Sequence, residues 1–173
     1  MSETTTTRLP GNVVPRSYTL TLEPDLRDFR FEGNETVEID VVEPTAEITL
    51  NCAEIEVLSC TVIAGGSEQR PRDTVFDREA ETVTFELDSR LPVGPATLSI
   101  EFTGELNDRL RGFYRSSYTD VDGEPRYLAA TQFESTDARR AFPCWDEPSL
   151  KATFALTLVV DSELAAISNM PIP

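Results

Sequence analysis

Apolar and polar side chains alternate along this chain from one end to the other, the pattern of strands with one face buried and one face in water. SYTLTLE sets Tyr18, Leu20 and Leu22 on one side, and ETVEIDVV does the same with Val37, Ile39 and Val41. EITLNC offers Ile48, Leu50 and Cys52, ETVTFELD offers Val83, Phe85 and Leu87, and ATLSIEF offers Leu98, Ile100 and Phe102. KATFALTLVV continues the series, with Phe154, Leu156 and Leu158 expected to face inward. In EIEVLSCTVI the apolar phase slips between Val57 and Leu58, which predicts a bulge or a change of sheet. Turn chemistry separates the runs in EPDLRD, FEGNE, VEPTAE, AGGSEQRPRD, LPVGP and DVDGEP. A helical period is sustained nowhere, and a single helical turn is expected over DARRAF, capped by Ser135 or Thr136. The pattern predicts an all-β fold, an antiparallel β-sandwich of two packed sheets.

At 173 residues the chain has the size of one domain, with residues 1–10 expected as a flexible N-terminal segment and 11–173 as the β-domain. There are no internal repeats and no low-complexity stretch beyond TTTT. DSELAAISNMPIP follows the final strand pattern without a polar tail, so the chain is expected to be a fragment missing its last strands.

Charge narrows the partners. Thirty-one acidic residues against fifteen basic ones give a net charge of -16, which argues against nucleic acid and anionic membrane surfaces. No apolar run approaches the roughly 20 residues of a membrane-spanning helix, and MSETTTTRLP lacks the basic start and apolar region of a secretory signal. A soluble, cytoplasmic protein is the expectation. Lys151 is the only lysine among the fifteen basic residues. Such a balance points to a cytoplasm at high salt, with an acidic protein from a genome biased toward arginine codons as the plainer alternative.

The chain has no histidine, so it can assemble neither a Ser-His-Asp triad nor a His-ligated zinc site by itself. Cys52, Cys60 and Cys144 have no metal-type spacing and are expected as reduced, structural thiols. No catalytic residue and no metal ligand is assigned to this chain.

One stretch stands apart, TQFESTDARRAFPCWDEPSLKATF, with Asp137, Arg139, Arg140, Asp146 and Glu147 close together around the only tryptophan. Mixed charges that dense, near Pro143 and Pro148, point to a structural ion-pair and capping network. Asp146 and Glu147 are adjacent, project differently and make a poor acid–base pair. Cys144 has no histidine to activate it and is expected to be packed. Trp145, Phe113, Tyr114 and Tyr118 are expected in the core or at a contact between domains. In YLAATQFE, alternation directs Gln132 and Glu134 to one side, with Thr131 and Phe133 turned back toward the core. Taken alone, Glu134 is a solvated carboxylate or a partner of Arg139.

In order and spacing, VVPRSYTLTLEPDL, LNDRLRGFYRSSY, LAATQFESTDARRAFPCWDEPSLKATFALTL and ISNMP closely resemble the N-terminal domain of the aminopeptidase N family of zinc metallopeptidases, the gluzincin aminopeptidases. The resemblance runs from about Arg8 to Pro171. It implies a saddle-shaped β-domain followed by a catalytic domain bearing HExxH and GxMEN motifs, neither of which occurs in this sequence. It also implies that Glu134 binds the free α-ammonium of a peptide substrate, that Gln132 lines the adjoining pocket, and that zinc belongs to the intact enzyme and is not bound by this chain. The chain alone is then expected to be inactive. A reading from another class is a stand-alone β-sandwich binding or adhesion module, in which TQFE and CWDEP are structural only.

Overall fold

The computed structural model describes residues 8–171. Its strands are β1 (Val13–Asp25), β2 (Arg30–Val41), β3 (Thr45–Asn51), β4 (Ile55–Ala64), β5 (Ser67–Gln69), β6 (Asp73–Asp77), β7 (Thr82–Leu91), β8 (Gly94–Glu105), β9 (Gly112–Thr119), β10 (Pro125–Gln132) and β11 (Thr153–Leu158). They form a six-stranded sheet ordered β11-β1-β2-β8-β4-β5, a three-stranded sheet ordered β3-β7-β6, and a ribbon of β9 and β10. The two larger sheets share one core, in which Val37, Val62 and Leu98 of one join Ile48, Leu50 and Phe85 of the other at full burial. Removing side chains of this size from water contributes about 1.5 to 3 kcal/mol each, and the period-two pattern delivers one such residue at every second position.

The inward positions expected in the first five runs are all buried, from Tyr18 to Phe102. The phase slip in EIEVLSCTVI is a bulge: pairing of β4 with β8 shifts between Val57 and Ser59, leaving Leu58 58% exposed. One extra residue lets Val57 and Cys60 both keep their contacts with the core.

Three expectations are corrected. FEGNE is not a turn but part of β2, where Gly33 pairs with Phe102 of β8. The Phe102 ring lies over Gly33 so closely that a Cβ there would overlap it, so the glycine serves a close approach and makes no bend. The main sheet is also not wholly antiparallel, because β11 joins β1 in parallel. Finally, Phe154 and Leu156 lie beside Tyr18 and Leu20 on the core side, yet are 57% and 47% exposed. Alternation set their face correctly. Burial also needs a second layer, and among the described residues none covers this edge strand; Phe154 has only the stacked ring of Tyr18 at 4.6 Å and the edge of Phe142 at 6.1 Å.

At the other end, residues 1–7 of the expected flexible segment lie outside the described residues. Leu9 is buried, and its N–H donates to Glu147 Oε1 at 2.7 Å.

Candidate functional site

The dense stretch begins where β10 stops. Gln132 is its last residue, opposite Gly112 at the start of β9. The chain then bends so that the Asp137 N–H donates to the Phe133 carbonyl at 2.9 Å, and a 3₁₀ turn follows over Ala138–Arg140. The helical turn is thus where the sequence predicts it, but Ser135 and Thr136 do not cap it. Asp137 heads the turn without a side-chain cap bond. Its carboxylate accepts from Arg140 Nε at 2.9 Å, a charge-assisted bond stronger than a neutral cap.

Arg139 and Arg140 organise the loop. Arg139 Nε donates to Asp146 at 3.0 Å and its Nη1 to Glu81 at 3.3 Å. Arg140 reaches Asp137, Glu54 and Glu81, and its side chain is only 9% exposed. Arg109 and Arg111 pair with Glu54 from a third direction. The expected structural network is present, with Asp137, Asp146 and Glu147 all engaged, the last through the N-terminal segment. Glu54 and Glu81 went unrecognised in the sequence. Both adopt left-handed backbone, with φ of 60° and 53°, and each adjoins an ordinary strand end. No local pattern marks them, because their partners come from a distant part of the chain.

Backbone bonds fasten this turn to the sandwich. The Ala53 N–H donates to the Arg139 carbonyl at 2.9 Å, and Asn51 and Cys144 exchange N–H···O bonds of 2.8 and 3.0 Å. Asn51 Oδ1 accepts the Asp146 N–H at 3.1 Å, and Tyr18 Oη accepts that of Trp145 at 3.3 Å. Trp145, Phe113 and Cys144 are buried, Tyr114 is half-buried, and Tyr118 is exposed. Cys52, Cys60 and Cys144 are free, buried thiols. Burial, and next the nearby Glu35, push Cys52 and Cys60 up to about 12, and burial raises Cys144 well above the ordinary thiol range. They remain protonated and unreactive at neutral pH.

Gln132 and Glu134 are both exposed at the margin of this rigid loop. Phe133 between them is half-buried, its ring 6.0 Å from Phe142 at an interplanar angle of 75°. Thr131 is exposed, against expectation, because β10 belongs to a two-stranded ribbon and the described residues place no layer over it. Glu134 lies beyond the end of β10, so the loop, and not strand alternation, determines where it sits. The Glu134–Ser135 peptide bond is cis. Among the described residues Glu134 forms no ion pair, since Arg139 is committed to Asp146 and Glu81. What the two residues offer is a carboxylate and an amide, at the foot of a loop fixed from several sides.

A cleft of about 610 Å³ opens nearby, walled by Arg30, Glu54, Phe76, Arg78, Glu81 and Arg140 among others. Neither Gln132 nor Glu134 borders it. Its buried cation is already neutralised by three carboxylates, which makes it a groove beside the ion-pair network and not a second candidate site.

Zinc, which the resemblance implies for the intact enzyme, does not fit the residues present. The chain has no histidine, its thiols are buried and protonated, and among the described residues no three His, Cys, Asp or Glu side chains are grouped to hold a cation. The chemistry available here is charge and hydrogen bonding.

The arrangement has clear relatives. The chain is 48% identical over 165 residues to "Aminopeptidase M1-D" of Oryza sativa subsp. japonica, an alignment covering 95% of this chain and 19% of that protein. It is 48% identical over 162 residues to "Aminopeptidase 2" of Candida albicans, covering 93% and 17% respectively. It is 40% identical over 164 residues to "Puromycin-sensitive aminopeptidase" of Caenorhabditis elegans, covering 94% and 17%. The chain therefore spans about a fifth of the length of these relatives. Residues 14–173 match the family described as "Peptidase M1 N-terminal domain", so the match takes in both larger sheets, the ribbon and the arginine-braced loop, and the chain belongs to that family.

Proposed function

We propose that this chain is the substrate-cleft domain of a zinc aminopeptidase that removes N-terminal residues from peptides. Glu134 receives the free α-ammonium of the substrate and Gln132 lines the adjoining pocket. One observation carries this reading: the Glu134 carboxylate is exposed and unpaired among the described residues, although two arginines follow in the same loop. Those arginines are taken by Asp137, Asp146, Glu54 and Glu81, which leaves Glu134 available to an external cation.

A carboxylate in a cleft that substrate partly desolvates pairs with an ammonium and so fixes which end of a peptide enters. That selects exopeptidase action. Gln132 can donate to a substrate carbonyl and accept from a substrate N–H, which holds the first residue in register. Zinc, bound by a catalytic domain outside residues 1–173, would polarise the scissile carbonyl and activate water.

The net charge of -16 and the single lysine support a further part of this proposal, a protein of the cytoplasm at high internal salt, with peptides as its ligands and neither nucleic acid nor a membrane as a partner. Among the described residues no helix is long and apolar enough to cross a membrane.

The test is Glu134→Ala in the full-length protein, assayed on peptides with free and with N-acetylated termini. Activity on free amines should fall while zinc content stays constant. Unchanged activity together with unchanged preference for the free amine would remove Glu134 from the site.

A further inference from the structure

One ionisable side chain in the core belongs to neither the ion-pair network nor the candidate site. Glu35 lies in the middle of β2 and is 2% exposed. Neither of its carboxyl oxygens has a protein hydrogen-bond partner. Register explains the burial. Leu20 of β1, Glu35 of β2, Ile100 of β8 and Cys60 of β4 sit side by side across the sheet, all turned to the core. Glu35 occupies an apolar position in that row, with Val37 and Ile39 continuing its own strand inward.

Every titratable group that faces it is neutral. These are Tyr18 on β1, Cys60 on β4, Cys52 just after β3, and Cys144 in the segment that follows the 3₁₀ turn. The buried positions of β3 and β7 bring only apolar groups and the uncharged Thr45, Asn51 and Thr82. The only other charged side chain buried among the described residues, Arg140, is held by Asp137, Glu54 and Glu81. An ionised carboxylate at position 35 would have neither counter-charge nor donor, the most costly situation for a buried group. Burial accordingly raises the Glu35 carboxyl well above the usual range.

Glu35 also lies next to the element that fastens the arginine-braced loop. Tyr18 Oη accepts the Trp145 N–H, and Cys144 is bridged to Asn51. We propose that Glu35 is a proton-linked conformational element, uncharged in the closed fold, whose ionisation as pH rises releases the Phe142–Asp146 segment from Tyr18 of the six-stranded sheet and Asn51 of the three-stranded sheet. The proton passes to solvent, no covalent bond beyond that O–H changes, and the hydrogen bonds of Trp145 to Tyr18 and of Cys144 to Asn51 open.

In the unfolded chain Glu35 loses its proton near pH 4.3. In the folded chain it loses it at higher pH, so between the two values the fold holds one proton more than the unfolded state. Stability from this group is complete below the unfolded value and falls as pH rises through the window. The folded-to-unfolded ratio then drops about tenfold per pH unit.

The experiment compares wild type with Glu35→Gln by equilibrium unfolding of the chain from pH 5 to 9 in molar salt, which screens the surface carboxylates common to both. The ratio of their folding constants should climb about tenfold per pH unit in favour of the variant until the folded carboxyl ionises. Hydrogen exchange of residues 142–146 supplies the local readout. It should accelerate with pH in wild type beyond the chemical exchange rate, and not in the variant. Glu35→Leu, which has no polar atom to satisfy, must show the same pH dependence, and it stands in if the Gln variant does not fold. A stability ratio constant across this range, or segment exchange that tracks intrinsic chemistry equally in wild type and variants, overturns the proposal.

Discussion

Arg140 Nη1 donates to Glu54 Oε1 at 2.8 Å, joining positions 86 residues apart. The bond spans from the 3₁₀ turn, which follows the ribbon, to the link between β3 and β4, which belong to the two larger sheets. One guanidinium therefore holds together three parts of the fold, and the loop leading from Gln132 is braced by it.

Arg140→Ala should reveal that brace. Removing the guanidinium leaves Asp137 without a cation and leaves Glu54 to Arg109 and Arg111 and Glu81 to Arg139, and the loss should be about 2 to 3 kcal/mol, discounted for the partial exposure of the carboxylates. Arg139→Ala should cost somewhat less, having two partners in place of three. Arg70→Ala, at an exposed position with no ion pair among the described residues, should change stability by under about 0.5 kcal/mol. Chemical denaturation of the three variants side by side is the measurement. Equal midpoints would show that the network has no energetic role.

Gly112 admits Arg140 to this position. Its φ of 66° is left-handed, and a Cβ there would stand 2.5 Å from the Arg140 Cβ. Gly112→Ala should cost about 1 kcal/mol for the backbone alone, and more because Arg140 must shift. It should also change the exposure of the loop around Gln132, which pairs with Gly112. Proteolysis rates across Thr131–Thr136 provide the check, and a variant with wild-type stability and protection would contradict this account.

How much of this was legible depends on whether the cause is local. Period-two alternation is local, and it placed Tyr18, Val37, Ile48, Phe85 and Leu98 correctly and marked the bulge at Leu58. Carried two residues back along β2, the same alternation puts Glu35 in phase with Val37, so the buried acid was readable from spacing although its charge argued for the surface. The exposure of Phe154 and Leu156 was not readable, because period two assigns a face and says nothing of the layer that covers it. Gly33 misled because glycine punctuates turns far more often than it accommodates a ring from the next strand. The candidate site divides along the same line. The crowding of Asp137, Arg139, Arg140 and Asp146 announced an ion-pair network, while Glu54 and Glu81 joined it through tertiary contact alone.

Salt should stabilise the chain. A net charge of -16 repels itself at low ionic strength, and screening lengths shrink from about 10 Å at 0.1 M to 3 Å at 1 M. The melting temperature should climb from low to molar potassium chloride, with most of the gain at the low end. A falling melting temperature over that range would mean that the surface pairs, such as Arg72 with Glu86 and Arg126 with Asp120, outweigh the net repulsion.

Glu134→Gln in the full-length protein separates charge from shape. The amide keeps the volume and one carbonyl acceptor but removes the negative charge, so a substrate ammonium loses its ion pair and retains one hydrogen bond. Complete removal of a desolvated charge partner costs roughly 2 to 5 kcal/mol. At about tenfold per 1.4 kcal/mol, kcat/KM for Glu134→Ala should fall between about 30-fold and several thousand-fold. Glu134→Gln should fall between wild type and Ala, and both variants should discriminate less between free and acetylated termini. Gln132→Ala should weaken binding without altering that discrimination, since it removes an amide and no charge. If Glu134→Gln matched wild type in kcat/KM and in its preference for free amines, the carboxylate would have no substrate role, and its lack of an ion pair would reflect only its exposure to solvent.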